Sequence, residues 1–398
     1  MTQRHASWLR FGSAATGVAV FLVSWALLHE GFYNRDQIVD TPVYERYGEA
    51  MADGRMPYRD FALEYPPAAL PVFLIPALGE GDSDDYRRRF EGLMGGLGVA
   101  CVLLVALLSS SFWAPIFVGA APLALGSIYL SRFDLWPAAL TLVALALLAT
   151  GRSRFGLGAL GLATAAKLYP AVLAPIAVAH VWRTRGRREA LIAMGVFIGV
   201  ITAIVLPFAV ASPGGVWDGF WRQANRPLQI ESLGAGLLLA AHHLFGLGVT
   251  MESSHGSQNL AGGGAEALAV ISTLLQAAAL VTVWVLYARG PATRERLLLA
   301  SAAALCAFVA FGKVLSPQFL IWLVPVVPLV WGRRGLVVSG LLAAALVVTQ
   351  LWFPFRYWEL ALEFDQPASW LVFARDVLLV GLTLLLVAGA RPARARSP

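Results

Sequence analysis

Charge is what this chain has least of. Only 14% of its 398 residues are Asp, Glu, Lys or Arg, 58% are hydrophobic, and the mean hydropathy is +0.68. Soluble domains carry roughly 25% charge, so there is too little polar surface here to cover a water-soluble globule of this length. The short alternating segments of a membrane β-barrel are also missing. Cysteine is nearly absent: Cys101 and Cys306 both lie inside apolar runs, which argues against a disulfide framework or a thiolate metal site and for two small buried hydrophobes. No repeat of fixed period and no soluble domain is visible. Trp8 to His29 lacks a small-residue cleavage pattern and is read as a first membrane span. Lysine is rarest of all: of 30 basic residues only Lys167 and Lys313 are lysine. Arginine is the default cation, so the two exceptions mark places where a compact ammonium is needed. The net charge of +6 does not point to nucleic acid. The basic residues sit in short loops and at the C-terminus, as the positive-inside rule expects.

What the chain does have is apolar runs of about 20 residues, one after another. They give an all-α, polytopic helical membrane protein with about 10 to 13 membrane helices, one integral membrane domain over 1–398. The expected location is the plasma membrane of a bacterium, with both termini in the cytoplasm: Arg4 and Arg10 hold the start inside, and the tail from Arg391 holds the end. External loops are expected at 30–65, 211–232 and 354–370. Arg87, Arg88 and Arg89 are read as cytoplasmic, after a short second helix running to about Leu78. From Ala114 to Trp182 the topology has two solutions. Phe155 to Trp182 is either one long helix or two short ones meeting at Lys167-Leu168-Tyr169-Pro170. Leu233 to Leu247 is read as a short or re-entrant helix, Glu252 to Gly264 as a Gly/Ser-rich loop, and Phe319 to Trp331 as a returning helix.

One stretch is unlike the rest. Between Glu30 and Pro67 lie eight of the 24 acids and five tyrosines (GFYNRDQIVDTPVYERYGEAMADGRMPYRDFALEYPP from Gly31). A long polar loop between apolar helices is functional or disordered, and its aromatics and turn residues argue for order. Thr41 to Asp53 has helical spacing, with Thr41 as N-cap and Pro42 at the first helical position, a short helix lying on the membrane surface. Asp36 and Asp40 follow the first span directly. Ordinary solvation would explain them; so would a carboxylate that takes a proton from an incoming hydroxyl, with Asp40 favoured because a helix start fixes it. Glu64 and Tyr65 stand at a helix entrance, as interfacial anchors or as ligands for sugar hydroxyls.

Arg132 and Asp134 are either a salt bridge at a helix end or part of a site for sugar hydroxyls or a phosphate. A lysine near the bilayer middle costs on the order of 3 kcal/mol on insertion scales. Lys167, beside Tyr169, therefore requires compensation, either by a structural carboxylate such as Asp134 or by a ligand phosphate. Lys313 lies nearer the surface and either joins the site or snorkels. For His242, His243, Arg222 and Arg226, interfacial solvation is the simpler reading.

Taken in order, Gly54 to Pro67 (GRMPYRDFALEYPP), Arg132 to Ala138 (RFDLWPA), Ala166 to Pro170 (AKLYP) and Ser316 to Phe319 (SPQF) resemble the glycosyltransferase 87 family, bacterial polyprenyl-phosphate-mannose-dependent mannosyltransferases and their relatives. The resemblance implies a GT-C fold with the site on the extracytoplasmic face under the first large loop. It implies an inverting transfer of a hexose, mannose being the expected sugar, from a polyprenyl-phosphate donor to a glycolipid or glycan acceptor, in building the cell envelope. The family's catalytic aspartate would be Asp40, followed by Tyr44, with Asp36 as runner-up. Lys167, Arg132, Lys313 and Tyr169 would hold the donor phosphate. Glu64, Tyr65, Asp134, Tyr44 and Gln318 would meet sugar or acceptor. With cations at the phosphate, neither metal nor cofactor is expected. Partners are membrane lipid and the lipid-linked sugar, with no nucleic acid. The competing readings are a proton-coupled transporter or lipid-linked sugar flippase, which intramembrane Lys and Asp also suit, and a non-catalytic assembly subunit.

Overall fold

The computed structural model describes residues 3–391, with side chains from Arg10 onward. The Arg4 side chain and the tail beyond Arg391, both expected inside, lie outside the described residues. The chain is almost wholly helical, and among the described residues six helices are long and apolar enough to cross a membrane. It is a multi-pass membrane protein.

Helix α1 (Gln3–Leu27) crosses first. It is followed by α2 (Thr41–Ala52) and α3 (Leu70–Ala77), which pack on each other outside the bundle. Gly48 permits this: a Cβ there would collide with the Phe73 carbonyl. Asp40 is the N-cap of α2, so Thr41 and Pro42 are its first two residues, one position from the expected cap. With eight residues, α3 rises about 12 Å, far short of the roughly 30 Å hydrocarbon core, and it does not cross.

This overturns the expected cytoplasmic position of Arg87 to Arg89. They belong to the start of the second long helix, α4 (Ser83–Leu108), opened by an Asp82–Asp85 capping box. His29, at the end of α1, contacts Glu91 at 3.0 Å, and Arg87 donates to Gln37 Oε1 at 2.8 Å. The start of α4 therefore lies on the same face as the acidic loop. Its arginines are occupied locally: Arg87 with Glu91, Arg88 with Asp85, and Arg89 with the carbonyls of Pro76, Gly79 and Glu80. Arg89 caps the end of α3 and the other two are spent on nearby side chains, roles that a count of charges does not distinguish from orienting a membrane loop.

Helix α5 (Trp113–Leu125) returns along α1, with Gly17 against Pro115 and the Tyr33 hydroxyl donating to Leu123 O at 2.8 Å. One turn, α6 (Ile128–Ser131), leads into α7 (Leu135–Ala149) and then α8 (Ser153–Ala166). Of the two solutions for Phe155 to Trp182, the broken one is found. Helix α8 stops at Ala166, Lys167 is extended, and a 3₁₀ turn at Tyr169–Leu173 precedes α9 (Ala174–Arg185). Helices of 15 and 14 residues rise about 22 and 21 Å, so the break at Lys167 is recessed below the ends of the longer helices.

Helix α10 (Arg187–Ala211) and the amphipathic α11 (Pro213–Ala224) follow, so the expected loop 211–232 is largely helical. Then come α12 (Leu233–Phe245) and an antiparallel hairpin of β1 (Thr250–Ser254) and β2 (Ser257–Ala261) where a loop was expected. Its two-residue tip, His255-Gly256, has φ of +54° and +68°, the geometry that matches hairpin twist. Helix α13 (Ala265–Arg289) crosses next, and the 17-residue α14 (Arg294–Ala310) packs back along it. The segment after Ser316 is a broken run, not the regular helix expected: 3₁₀ turns at Pro317–Phe319 and Val327–Leu329 flank α15 (Leu320–Leu323). Prolines 317, 325 and 328 remove the amide donors that a continuous helix needs. Helix α16 (Gly332–Trp352), the short α17 (Tyr357–Glu363) in the third expected loop, and α18 (Gln366–Ala390) complete the chain.

The face opposite the acidic loop is built on arginine. Arg183 donates to Ala288 O, Arg294 to Leu108 O, and Arg296 to Leu286 O and Ala390 O. Guanidinium groups thus satisfy the free carbonyls at the C-terminal ends of α4, α13 and α18, where the helix dipole favours a cation.

Candidate functional site

A cavity of about 560 Å³ opens on the loop face, within the size range of small-molecule sites. Asp40 reaches it from the N-cap of α2, and Arg132 from the extended residue between α6 and α7. The two are ion-paired, Arg132 buried and the Asp40 side chain 32% exposed. Arg132 also donates to Ile38 O at 3.4 Å, and the Tyr44 hydroxyl to Asp40 Oδ2 at 3.4 Å. Tyr44 itself is buried beneath, stacked on Phe73 at 4.6 Å. The expected sugar-binding Tyr44 is therefore placed to orient Asp40 and is not on the cavity wall. Asp36 stands apart: it is exposed, at φ +49°, and does not line the cavity.

Lys167 lines the cavity just below. Its ammonium is 2.6 Å from Asp134 Oδ1 and lies 4.6 Å from the Phe133 ring centre and 5.2 Å from that of Trp322, faces that attract a cation. Tyr169 stacks flat on Trp322 at 4.0 Å, and Phe319 stacks on it at 4.1 Å. The Trp322 indole N–H donates to the same Asp134 oxygen. Of the two compensations open to Lys167, the carboxylate is present. Asp134, expected at the sugar, is instead 1% exposed and off the cavity wall: it is held between an ammonium and an indole. Lys167 keeps 15% of its side chain exposed toward the cavity.

Lys313 and Gln318 line the same cavity, as do Glu64, Tyr65 and Tyr169. Lys313 donates to Ala224 O at 3.0 Å, and burial lowers its pKa. Glu64 lies under the hairpin tip beside Gly256, and burial raises its pKa. Of the loop residues read as solvated, Arg226 is on the cavity wall; Arg222, His242 and His243 are not. The sequence reading missed Gln229, Glu231, Gln258 and Trp322. Their signal, polar residues alternating with apolar ones at Leu228-Gln229-Ile230-Glu231, was there but short. Among the described residues no cluster of His, Cys, Asp and Glu is placed to hold a metal.

The wall is apolar on one side. Val216 and Phe220 of α11 and Phe308 of α14 line it, and Leu168, 43% exposed, lies at its edge. The arrangement can hold an anion on cations, position a carboxylate against Arg132, and admit an apolar chain.

A family model described as glycosyltransferase family 87 matches residues 63–317, more than half of the chain. The match begins after Asp36 and Asp40 and ends just before Gln318. No curated protein matches the chain. Among solved structures, that of ArnT from Cupriavidus metallidurans in the apo state is similar at 16% identity, over 94% of this chain and 76% of that one, with a TM-score of 0.46.

Proposed function

The chain belongs to glycosyltransferase family 87, and we propose that it moves a hexose, with mannose the first candidate, from a polyprenyl-phosphate donor to a glycolipid or glycan acceptor. The observation that carries this reading is the single cavity shared by Asp40, Arg132 and Lys167, with apolar side chains at its edge. The arginine-rich face is the cytoplasmic one by the positive-inside rule, which puts the cavity on the extracytoplasmic side.

The donor slides in from the bilayer with its prenyl chain along Leu168 and Phe308 and its phosphate toward Lys167 and Lys313. Asp40, ion-paired with Arg132, takes the proton of the acceptor hydroxyl. The hydroxyl oxygen attacks the anomeric carbon from the side away from the phosphate. The bond from that carbon to the phosphate oxygen breaks, its electron pair leaves on the phosphate, and the configuration inverts. Cations already in place stabilise the charge as it develops.

The test uses purified protein in vesicles with a radiolabelled polyprenyl-phosphate sugar and membrane-lipid acceptors. Label transferred to an acceptor supports the proposal. Label that crosses the bilayer unchanged, with no transfer, replaces it with a flippase.

A further inference from the structure

Residues 228–230 run beside the hairpin and meet it at one isolated antiparallel bridge. Leu260 N donates to Leu228 O at 2.9 Å, Ile230 N donates to Gln258 O at 3.0 Å, and Gln229 bridges Asn259. A turn closed by Ser232 N donating to Gln229 O at 2.9 Å follows. Leu228 and Ile230 fill the core at 1% and 0% exposure, while Gln229 and Glu231 line the cavity with Gln258.

These three side chains are under-used. Gln229 Nε2 donates to Glu231 Oε2 at 2.5 Å. Gln229 Oε1, Glu231 Oε1, Gln258 Oε1 and the neighbouring Arg226 Nε have no hydrogen-bond partner. Gln229 and Glu231 are 2% and 1% exposed. A buried polar atom left unpaired costs about 1–3 kcal/mol, so a ligand that supplies the missing partners is strongly favoured.

The kind of ligand follows from the atoms. Three of the four are acceptors, which repel the oxygens of a phosphate and call for O–H donors. The single donor, Arg226, calls for an acceptor oxygen. A ring bearing several hydroxyl groups offers both. The Glu231 charge is offset by Arg226 and by Arg375, so no net anion or cation is selected. The Glu231 backbone is also anchored from below. Arg375, fully buried in α18, donates to Glu231 O at 2.6 Å, pairs with Asp376 at 2.8 Å and lies 5.7 Å over Trp352. Ionisable groups inside a membrane bundle are expensive and are kept for a use.

We propose that Gln229, Glu231 and Gln258, with Arg226, form the subsite for a neutral hexose ring, recognised through its hydroxyl groups. This rests on the transferase reading above and adds the residues that would choose the sugar. Both donor and acceptor carry such a ring, and the experiment separates them.

The full chain in lipid nanodiscs is titrated by calorimetry with octyl α-mannoside, octyl β-glucoside and octyl β-galactoside, and separately with farnesyl phosphate. At least one hexoside binds, Gln258→Ala and Glu231→Gln each weaken it roughly tenfold, and farnesyl phosphate binds all three proteins alike. Gln258 is only partly buried, so its variant avoids the folding penalty of changing a buried carboxyl. No hexoside binding to the wild type overturns the proposal. So does unchanged hexoside affinity in both variants, or farnesyl phosphate affinity falling in step. Competition between the bound hexoside and farnesyl-phosphate mannose assigns the subsite to the donor ring, and simultaneous binding assigns it to the acceptor. Binding is read here without turnover, so failure of Asp40 as the base leaves this result standing.

Discussion

The Arg132 guanidinium is ion-paired with Asp40 at the wall of the cavity, although one residue lies in the first loop and the other between two later helices. The pair places a carboxylate beside a buried cation in the same cavity that Lys167 lines. From this arrangement come testable consequences.

Asp40→Asn removes the proposed base and keeps the shape. Transfer is expected to fall by about 10²–10⁴, with donor binding retained. Asp36→Asn, changing an exposed carboxyl off the cavity wall, is expected to stay near the wild-type rate. Radiolabel transfer measured on both variants checks this; equal losses, or near-normal turnover of Asp40→Asn, would remove Asp40 from its role.

Asp134→Asn leaves the buried Lys167 ammonium without its counter-charge. Breaking such a pair costs about 3–5 kcal/mol, so a marked drop in thermal stability in detergent is expected. The double variant Lys167→Met with Asp134→Asn recovers much of it, because no charge is left unpaired, yet binds donor weakly. A double variant as unstable as the single one would deny the pairing its structural part.

Burial pushes the Glu231 carboxyl up to about 7. Arg375, Arg226, Arg132 and the Gln229 hydrogen bond pull it down, while Tyr357 and Asp376 are the other titratable groups beside it. Its folded-state value lies above the ordinary Glu value of about 4.3. The stability gained by burying it neutral is complete below that ordinary value and is lost as pH rises toward about 7. The expected result is that Glu231→Gln flattens the fall in melting temperature between about pH 5 and pH 8. Superimposable profiles for the two proteins would contradict it.

Sidedness has its own test. Cys101 and Cys306 are buried, so a single introduced thiol reports alone. Asp84→Cys is expected to react with an impermeant maleimide from the same side as Asp53→Cys, and Arg188→Cys only after permeabilisation. Labelling of position 84 with position 188 would restore the cytoplasmic reading of Arg87 to Arg89.

The hairpin shows why part of the site escaped the sequence. Thr250–Ser254 is mostly exposed and rich in small polar residues, so it carries no alternation to read, and its partner strand takes its meaning from residues 228–230. The Lys167 break was legible only as one of two readings, because turn chemistry and a lone cation coincide in AKLYP while the apolar run reads equally as one long helix. The partners of that cation were not, because Asp134 and Trp322 reach it only through the packing of α7 against α15.

The sequence by itself determined that this chain lives in a membrane and which loop gathers the acids. Each of these follows from local composition, since hydropathy and turn chemistry act over a few residues. Only the tertiary structure decided that Asp40 meets Arg132, that Asp134 is spent on Lys167 and Trp322, and that Arg87 to Arg89 stand on the loop face. Those outcomes depend on which helix ends pack together, and contact between distant segments leaves no mark in the composition of either one.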